Sequence, residues 1–172
     1  MRYVNQPVMK KDGMALVTGK PVYTQDLAPK DCLVVKVLRS PHASAKIKSI
    51  DKSRAEKVEG IVCILTHEDC PNRRFTQAGQ TFWEMSPYDR YILEDRVRFV
   101  GDAVAVIAGE NEKAVKKAMK LVKVEYEVLT PLLDFRTSKG NEILVHPEDD
   151  WKANVPVGGD AKQNLCASGG YE

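Results

Sequence analysis

The stretch RVRFVGDAVAVIAGENEKAVKKAMKLVKVEYE, Arg96 to Glu127, changes hydrophobic pattern three times. It opens with a short β-rich piece, Val97 to Val100. After Gly101-Asp102 comes an unbroken apolar run, Ala103 to Ala108. A run that does not alternate reads as a strand covered on both faces. Val106→Asp is therefore expected to prevent folding, because it would leave an unpaired charge inside. Gly109 ends the run. Asn111 is placed to cap a helix, with Glu110 and Glu112 complementing its dipole. Ala114, Val115, Ala118, Met119 and Val122 recur at helical spacing, and Lys113, Lys116, Lys117, Lys120 and Lys123 take the other face. The period returns to two from Val122 to Val128. The stretch predicts a strand–helix–strand unit at the hydrophobic centre.

Working outward, Cys32 to Arg39 reads as a strand that Ser40-Pro41-His42 ends, since proline cannot continue a ladder. Ala45 to Ile50 is a second strand. Asp51 is placed to cap a short helix with inner face Ala55 and Val58 and a stop at Gly60. Ile61 to Leu65 is the next strand. Thr66 and Asp69 have capping-box spacing, and Pro71 limits the helix they start to about one turn. The strand–helix–strand pattern thus occurs twice, at 45–65 and 103–128, with no sequence identity between the two. Residues 1–12 read as a lead-in. Gly13 to Leu27 reads as an extended segment held against the core by Leu16, Val17, Val22 and Tyr23. Between the two units, Asn72 to Asp95 is long and irregular and holds Phe75, Phe82, Trp83, Tyr88 and Tyr91. Loops of this length are usually functional or interfacial. A substrate channel, a subunit contact and a cover over the core edge all fit it. Pro131 marks a break, after which Leu132 and Leu133 are expected to pack on the domain. Residues 142–172 hold too few apolar side chains for a core of their own.

Composition bounds the function. The 172 residues are 43% hydrophobic and 29% charged, enough for one cored domain with extensions. Mean hydropathy is −0.35, and 26 basic against 24 acidic side chains leave a net charge of +2. That balance argues against a dedicated nucleic-acid or membrane surface. No apolar run approaches the roughly 20 residues of a membrane span. The N-terminus lacks the apolar core of a signal peptide, so the expected compartment is cytoplasmic. Cys32, Cys63, Cys70 and Cys166 are dispersed, without a Cys-x-x-Cys, and read as reduced thiols.

Each candidate for chemistry has a plainer rival. His67 and Cys70 have a spacing found in metal sites, but two local ligands fall short of the three or four a site needs. The start of a helix after a strand explains Thr66 to Pro71 equally. His42 and His146, the latter followed by Pro147-Glu148, are loop histidines of the kind that bond backbone or water. Gly101-Asp102 reads as a tight turn or a bulge rather than an anion cradle. Gly158-Gly159 and Gly169-Gly170 lack the strand and helix of a phosphate loop. The Lys113–Lys123 face lacks an aromatic platform and reads as a solvated surface. No nucleophile–base pair, paired carboxylate motif or metal cluster emerges. No catalytic, cofactor-binding or metal-ligating residue is therefore assigned, and the residues alone describe a soluble α+β domain.

Taken in order, VTGKPVYTQDL, VLRSPHASAKIKSID, GIVCILTHEDCP, RVRFVGDAVAVIAGENEKA and VKVEYEVL closely resemble the start of the molybdenum-binding subunit of the xanthine dehydrogenase and aldehyde oxidase family. The resemblance covers residues 13 to 135 and, more loosely, the tail. It implies an α+β fold of the a/b hammerhead type, a mixed sheet with two strand–helix–strand units and an extended C-terminal tail. It divides the chain into an N-terminal extension (1–12), the hammerhead domain (13–135) and a linker or start of the molybdenum-binding domain (136–172). It also implies a parent protein that hydroxylates purines, other N-heterocycles or aldehydes with oxygen from water. Molybdenum–molybdopterin would carry that reaction, with [2Fe-2S] clusters and FAD in partner domains or subunits. The family's cofactor segments and catalytic glutamate lie downstream and match no position here. The implied role is therefore that of an inactive scaffolding fragment, packed on the molybdenum-binding domain. The rival from another class is a stand-alone, non-enzymatic binding module with the same fold.

Overall fold

A computed structural model describes residues 4–76, 87–148, 152–153 and 158–168. The chain divides into two compact units, Met1–Cys32 and Leu33–Glu172. In the first, α1 (Gly13–Val17) is a single short helix with no buried residue. A 3-10 turn at Thr24–Leu27 follows. The expected extended segment is instead helical at Gly13–Val17, and Leu16, Val17, Val22 and Tyr23 are exposed, Val17 to 80%.

The second unit holds β1 (Val34–Arg39), β2 (Ala45–Asp51), β3 (Ile61–Leu65), β4 (Pro87–Tyr88), β5 (Arg96–Val97), β6 (Ala103–Gly109), α2 (Glu112–Met119), β7 (Lys123–Val128) and β8 (Lys152–Ala153). The α+β hammerhead-like class and its strand–helix–strand arrangement stand. The strands do not share one mixed sheet, however. They form two three-stranded sheets, β1-β6-β3 and β5-β2-β7, with β4 and β8 as a separate pair. Every pairing between these strands is antiparallel. Each strand–helix–strand unit therefore crosses between sheets: β6 lies in the first and β7 in the second.

Sequence dictates where the crossing helix begins. Asn111 has extended backbone, and its Oδ1 accepts the Ala114 N–H at 2.9 Å, which satisfies one of the donors a helix start leaves open. Ala114, Val115 and Ala118 are buried against Ala105 and Ile107 of β6 and Ile64 of β3. Small residues here let the helix lie close to the sheet. Gly109 is part of that fit, because a Cβ there would stand 2.6 Å from the Gly60 carbonyl oxygen and 2.9 Å from Val115 Cγ2. The other expected helix, after Asp51, is only a run of turns. Asp51 does accept the Ser53 N–H at 3.0 Å, and Ala55 and Val58 do point inward. The short span between the strand end and Gly60 leaves little room to repay helix nucleation.

A second core joins the sheets through Ala45 and Ile47 of β2, Val97 of β5 and Val104 of β6. The expectation that β6 is covered on both faces holds for most of the strand: Val104, Ala105, Ile107 and Ala108 are buried, and Val106 is half-buried. Val106 lies on the face away from α2, and Ile107 is fully enclosed. Past β7, Leu132 is half-buried, whereas Leu133 is 80% exposed rather than packed. Among the described residues, no helix is long and apolar enough to cross a membrane.

Candidate functional site

The densest polar grouping lies where the loop from Asp89 to Asp102 meets residues 144–148. Gly101-Asp102 organises it. The chain leaves β5 in one sheet and must enter β6 in the other. It does so through a turn in which the Asp102 N–H bonds the Phe99 carbonyl at 3.1 Å. Gly101 sits at φ +97°, a backbone conformation that L side chains rarely adopt. Ser40 closes the corner: its carbonyl accepts from Gly101 N and its N–H donates to Asp102 O, both at 2.8 Å. The register of β1 shifts opposite this corner, between Leu38 and Arg39. The pair expected to be a turn or a bulge is therefore a turn that leads into a bulge, with Val104 the extra residue of β6.

The Asp102 side chain is buried and heavily used. It accepts from Arg98 N at 3.0 Å, Ala103 N at 3.0 Å and Arg90 Nη2 at 2.9 Å. Arg98 then reaches the tail. Its guanidinium pairs with Glu94, donates to Glu148 Oε1 at 2.8 Å and to the Val145 carbonyl at 3.2 Å. Arg96 adds a bond to the Leu144 carbonyl at 3.4 Å. His146 lies between two carboxylates, 3.9 Å from Asp89 and 3.7 Å from Glu148. These are electrostatic contacts longer than hydrogen bonds, and His146 Nδ1 and Glu148 Oε2 are buried with no hydrogen-bond partner. Burial alone would raise the Glu148 pKa. The interactions with His146, its own backbone N–H and the Arg98 charge outweigh that and bring it down to about 2.

Asn164 fixes the following turn of the tail. Its Oδ1 accepts from Val145 N at 2.9 Å, and its amide donates to the Ser138 and Ile143 carbonyls at 3.0 and 2.8 Å. Beside this runs a cleft of about 350 Å³, lined among others by Leu132, Phe135, Val145, His146 and Leu165. The seam is built for attachment: Arg90, Arg96 and Arg98 are engaged by carboxylates and carbonyls.

The other singled-out residues are scattered. His42 packs edge-on to Tyr126 with ring centres 4.8 Å apart, and its N–H bonds Ser40 Oγ at 3.0 Å. Burial raises the Tyr126 pKa, against a lowering bond from Ser40. His67 starts a one-turn 3-10 helix that ends at Asp69, whose carboxylate accepts the Thr66 N–H at 2.8 Å and its hydroxyl at 3.0 Å. Cys70 follows as the C-cap. The lysine face of α2 is exposed. In the aromatic loop, Arg74 stacks on Tyr91 at 4.4 Å and Phe75 bridges to Arg90. Phe82, Trp83 and Gly169-Gly170 lie outside the described residues. Of the sequence candidates, only His146, Glu148 and Gly101-Asp102 come together. Arg90, Arg98 and Glu94 escape a reading of the sequence. Their one local signal is the alternating charge of residues 89–98, which also fits a solvated surface.

The profile of the aldehyde oxidase and xanthine dehydrogenase a/b hammerhead domain matches residues 18–130. The chain belongs to that family. The chain is 41% identical over 140 residues to the Escherichia coli K12 protein named "Probable hypoxanthine oxidase XdhD", covering 81% of this chain and 15% of that protein. It is 36% identical over 126 residues to an Escherichia coli O157:H7 xanthine dehydrogenase molybdenum-binding subunit, covering 70% and 17%. Among solved structures it matches the aldehyde oxidoreductase of Desulfovibrio gigas with a TM-score of 0.66 and 28% identity, covering 80% of this chain and 16% of that one. The chain thus spans about one sixth of the length of these relatives. Molybdenum appears in the names of matched proteins, among them this molybdenum-binding subunit and a Cu,Mo-CO dehydrogenase. Among the described residues of this hammerhead domain, no three His, Cys, Asp or Glu side chains converge as metal ligands. The described residues do not fit a metal centre, and no redox step is assigned to them.

Proposed function

We propose that the chain is the hammerhead part of a xanthine dehydrogenase-like molybdenum hydroxylase subunit. In this reading the whole subunit hydroxylates purines, other N-heterocycles or aldehydes with oxygen from water. Molybdenum–molybdopterin is held by sequence outside these residues, and [2Fe-2S] clusters and FAD by partner domains or subunits. The hammerhead itself is structural: it packs on the molybdenum-binding domain and has no turnover of its own. Its location is cytoplasmic. The observation that carries the reading is the family match over 18–130, together with the molybdenum-binding relative. The charged seam agrees with it, since Arg96 and Arg98 tie the loop before β6 to residues 144–148.

The test is turnover of xanthine, hypoxanthine and an aldehyde with a dye as electron acceptor, in oxygen-labelled water. The intact subunit with its redox partners is expected to place label in the product, and the 172-residue chain to give none. Turnover by the chain alone would overturn the structural role. An intact subunit that hydroxylates none of the three would overturn the substrate assignment.

A further inference from the structure

The sheet β1-β6-β3 has two faces, and only one is fully used. On the α2 face lie Val34 and Leu38 of β1, Ala105 and Ile107 of β6, and Ile64 of β3. Strand alternation puts Val35 and Val37, Val106 and Ala108, and Cys63 and Leu65 on the opposite face. Register aligns them in two rows, Val35–Ala108–Cys63 and Val37–Val106–Leu65. All six are uncharged and five are aliphatic. Beyond the end held by Val104 this face is open along its flanking strands: Val35 is 56% and Leu65 41% exposed, the Cys63 residue is exposed, Val37 and Val106 are half-buried, and only the small Ala108 between its row neighbours is buried. A half-solvated antiparallel sheet normally alternates apolar with polar. These three neighbouring strands do not alternate, which is the pattern of a sheet buried on both sides.

We infer that this open face is a docking surface, covered in the assembled protein by apolar side chains from the remainder of the same subunit. The inference rests on the proposed function. It goes beyond that reading by naming the surface. Two observations favour a cover from the same subunit. The matched relatives carry about five sixths of their length outside this region, so polypeptide to cover the sheet is available. The face is also continuous with the Val104 core, so a docking element would extend an existing apolar layer. A charged partner finds nothing on these two rows to pair with.

Cys63 lies in one of the rows and reports on the cover directly. Maleimide modification of the Cys63 peptide, followed by mass spectrometry, is compared between the 172-residue chain and the intact subunit. Cys63 should react freely in the chain. In the subunit it should react about tenfold more slowly or less, because reaction must then await local opening. Equal rates would overturn the proposal, whatever the subunit's molybdenum content. That content, measured on the same sample, decides the functional reading separately. Protection in the chain alone that grows with concentration and tracks a dimer by sedimentation would also overturn it, by making a second copy the occupant. Val35→Lys supplies an independent check. It should leave the melting temperature of the chain unchanged and lower the yield of assembled subunit. An unchanged yield would count against the docking surface.

Discussion

The Asp102 carboxylate holds two backbone N–H groups and Arg90 at once, so no neutral side chain of similar size replaces it. Asp102→Ala should cost about 1–3 kcal/mol, the range for leaving buried donors unsatisfied. Urea denaturation of the 172-residue chain measures it, and an unchanged midpoint would show that the corner does not depend on this carboxylate. Gly109→Ala should cost about 1–3 kcal/mol through overpacking, since the new methyl meets the Gly60 carbonyl. Glu148 makes a pH prediction. Its pKa in the fold, about 2, lies below the ordinary 4.5. A depressed carboxylate contributes stability that is present above the unfolded value and lost as pH falls through the folded one. Melting of the parent chain and of Glu148→Gln should therefore differ at neutral pH, and the difference should shrink as pH drops from about 4.5 to about 2. A constant difference across that window would mean that the charge of Glu148, held by His146, its backbone and Arg98, is not what it contributes. Little of this seam was legible in the sequence. Arg98 and Glu148 are 50 residues apart, so no local spacing marks them as partners.

Elements whose partners are near in sequence were the easier ones to read. Asn111 and the recurrence of Ala114, Val115 and Ala118 specify α2 from within, and the helix runs from Glu112 to Met119 as that pattern requires. The strands at 34–39, 45–51 and 61–65 likewise follow from β-branched residues bounded by turn chemistry. Sheet membership was not legible, because a strand–helix–strand pattern does not say whether its strands pair with each other. The turn at Phe99–Asp102 and the crossing of α2 resolve this by sending the chain from one sheet to the other. The two faces of β6 now give a graded prediction. Ile107→Asp should abolish folding, because a charge would be enclosed between sheet and helix. Val106→Asp should leave a folded chain of lower stability, because its face is open. Circular dichroism separates them, and equal loss of structure in both variants would mean that the second face is closed after all.

At the level of the whole molecule, hydrophobic residues outside a core are as informative as those within it. Leu16, Val17, Val22 and Tyr23 in the first unit are exposed, and so are Val35, Leu133 and Phe135 in the second. Apolar composition in a sequence states that a cover is needed and not where it comes from, which is why several of these positions read as core that the chain does not supply. In the proposed function the rest of the subunit supplies that cover; the matched relatives extend far beyond the matched region. In the proposed function this chain is a scaffold, and the metals are held elsewhere in its parent protein. Elemental analysis of the purified 172-residue chain, molybdenum and iron against protein concentration, decides between this and a cofactor-holding domain. Both metals should fall far below one per chain. Stoichiometric molybdenum would overturn the scaffold role, by making the hammerhead domain itself the holder of the cofactor.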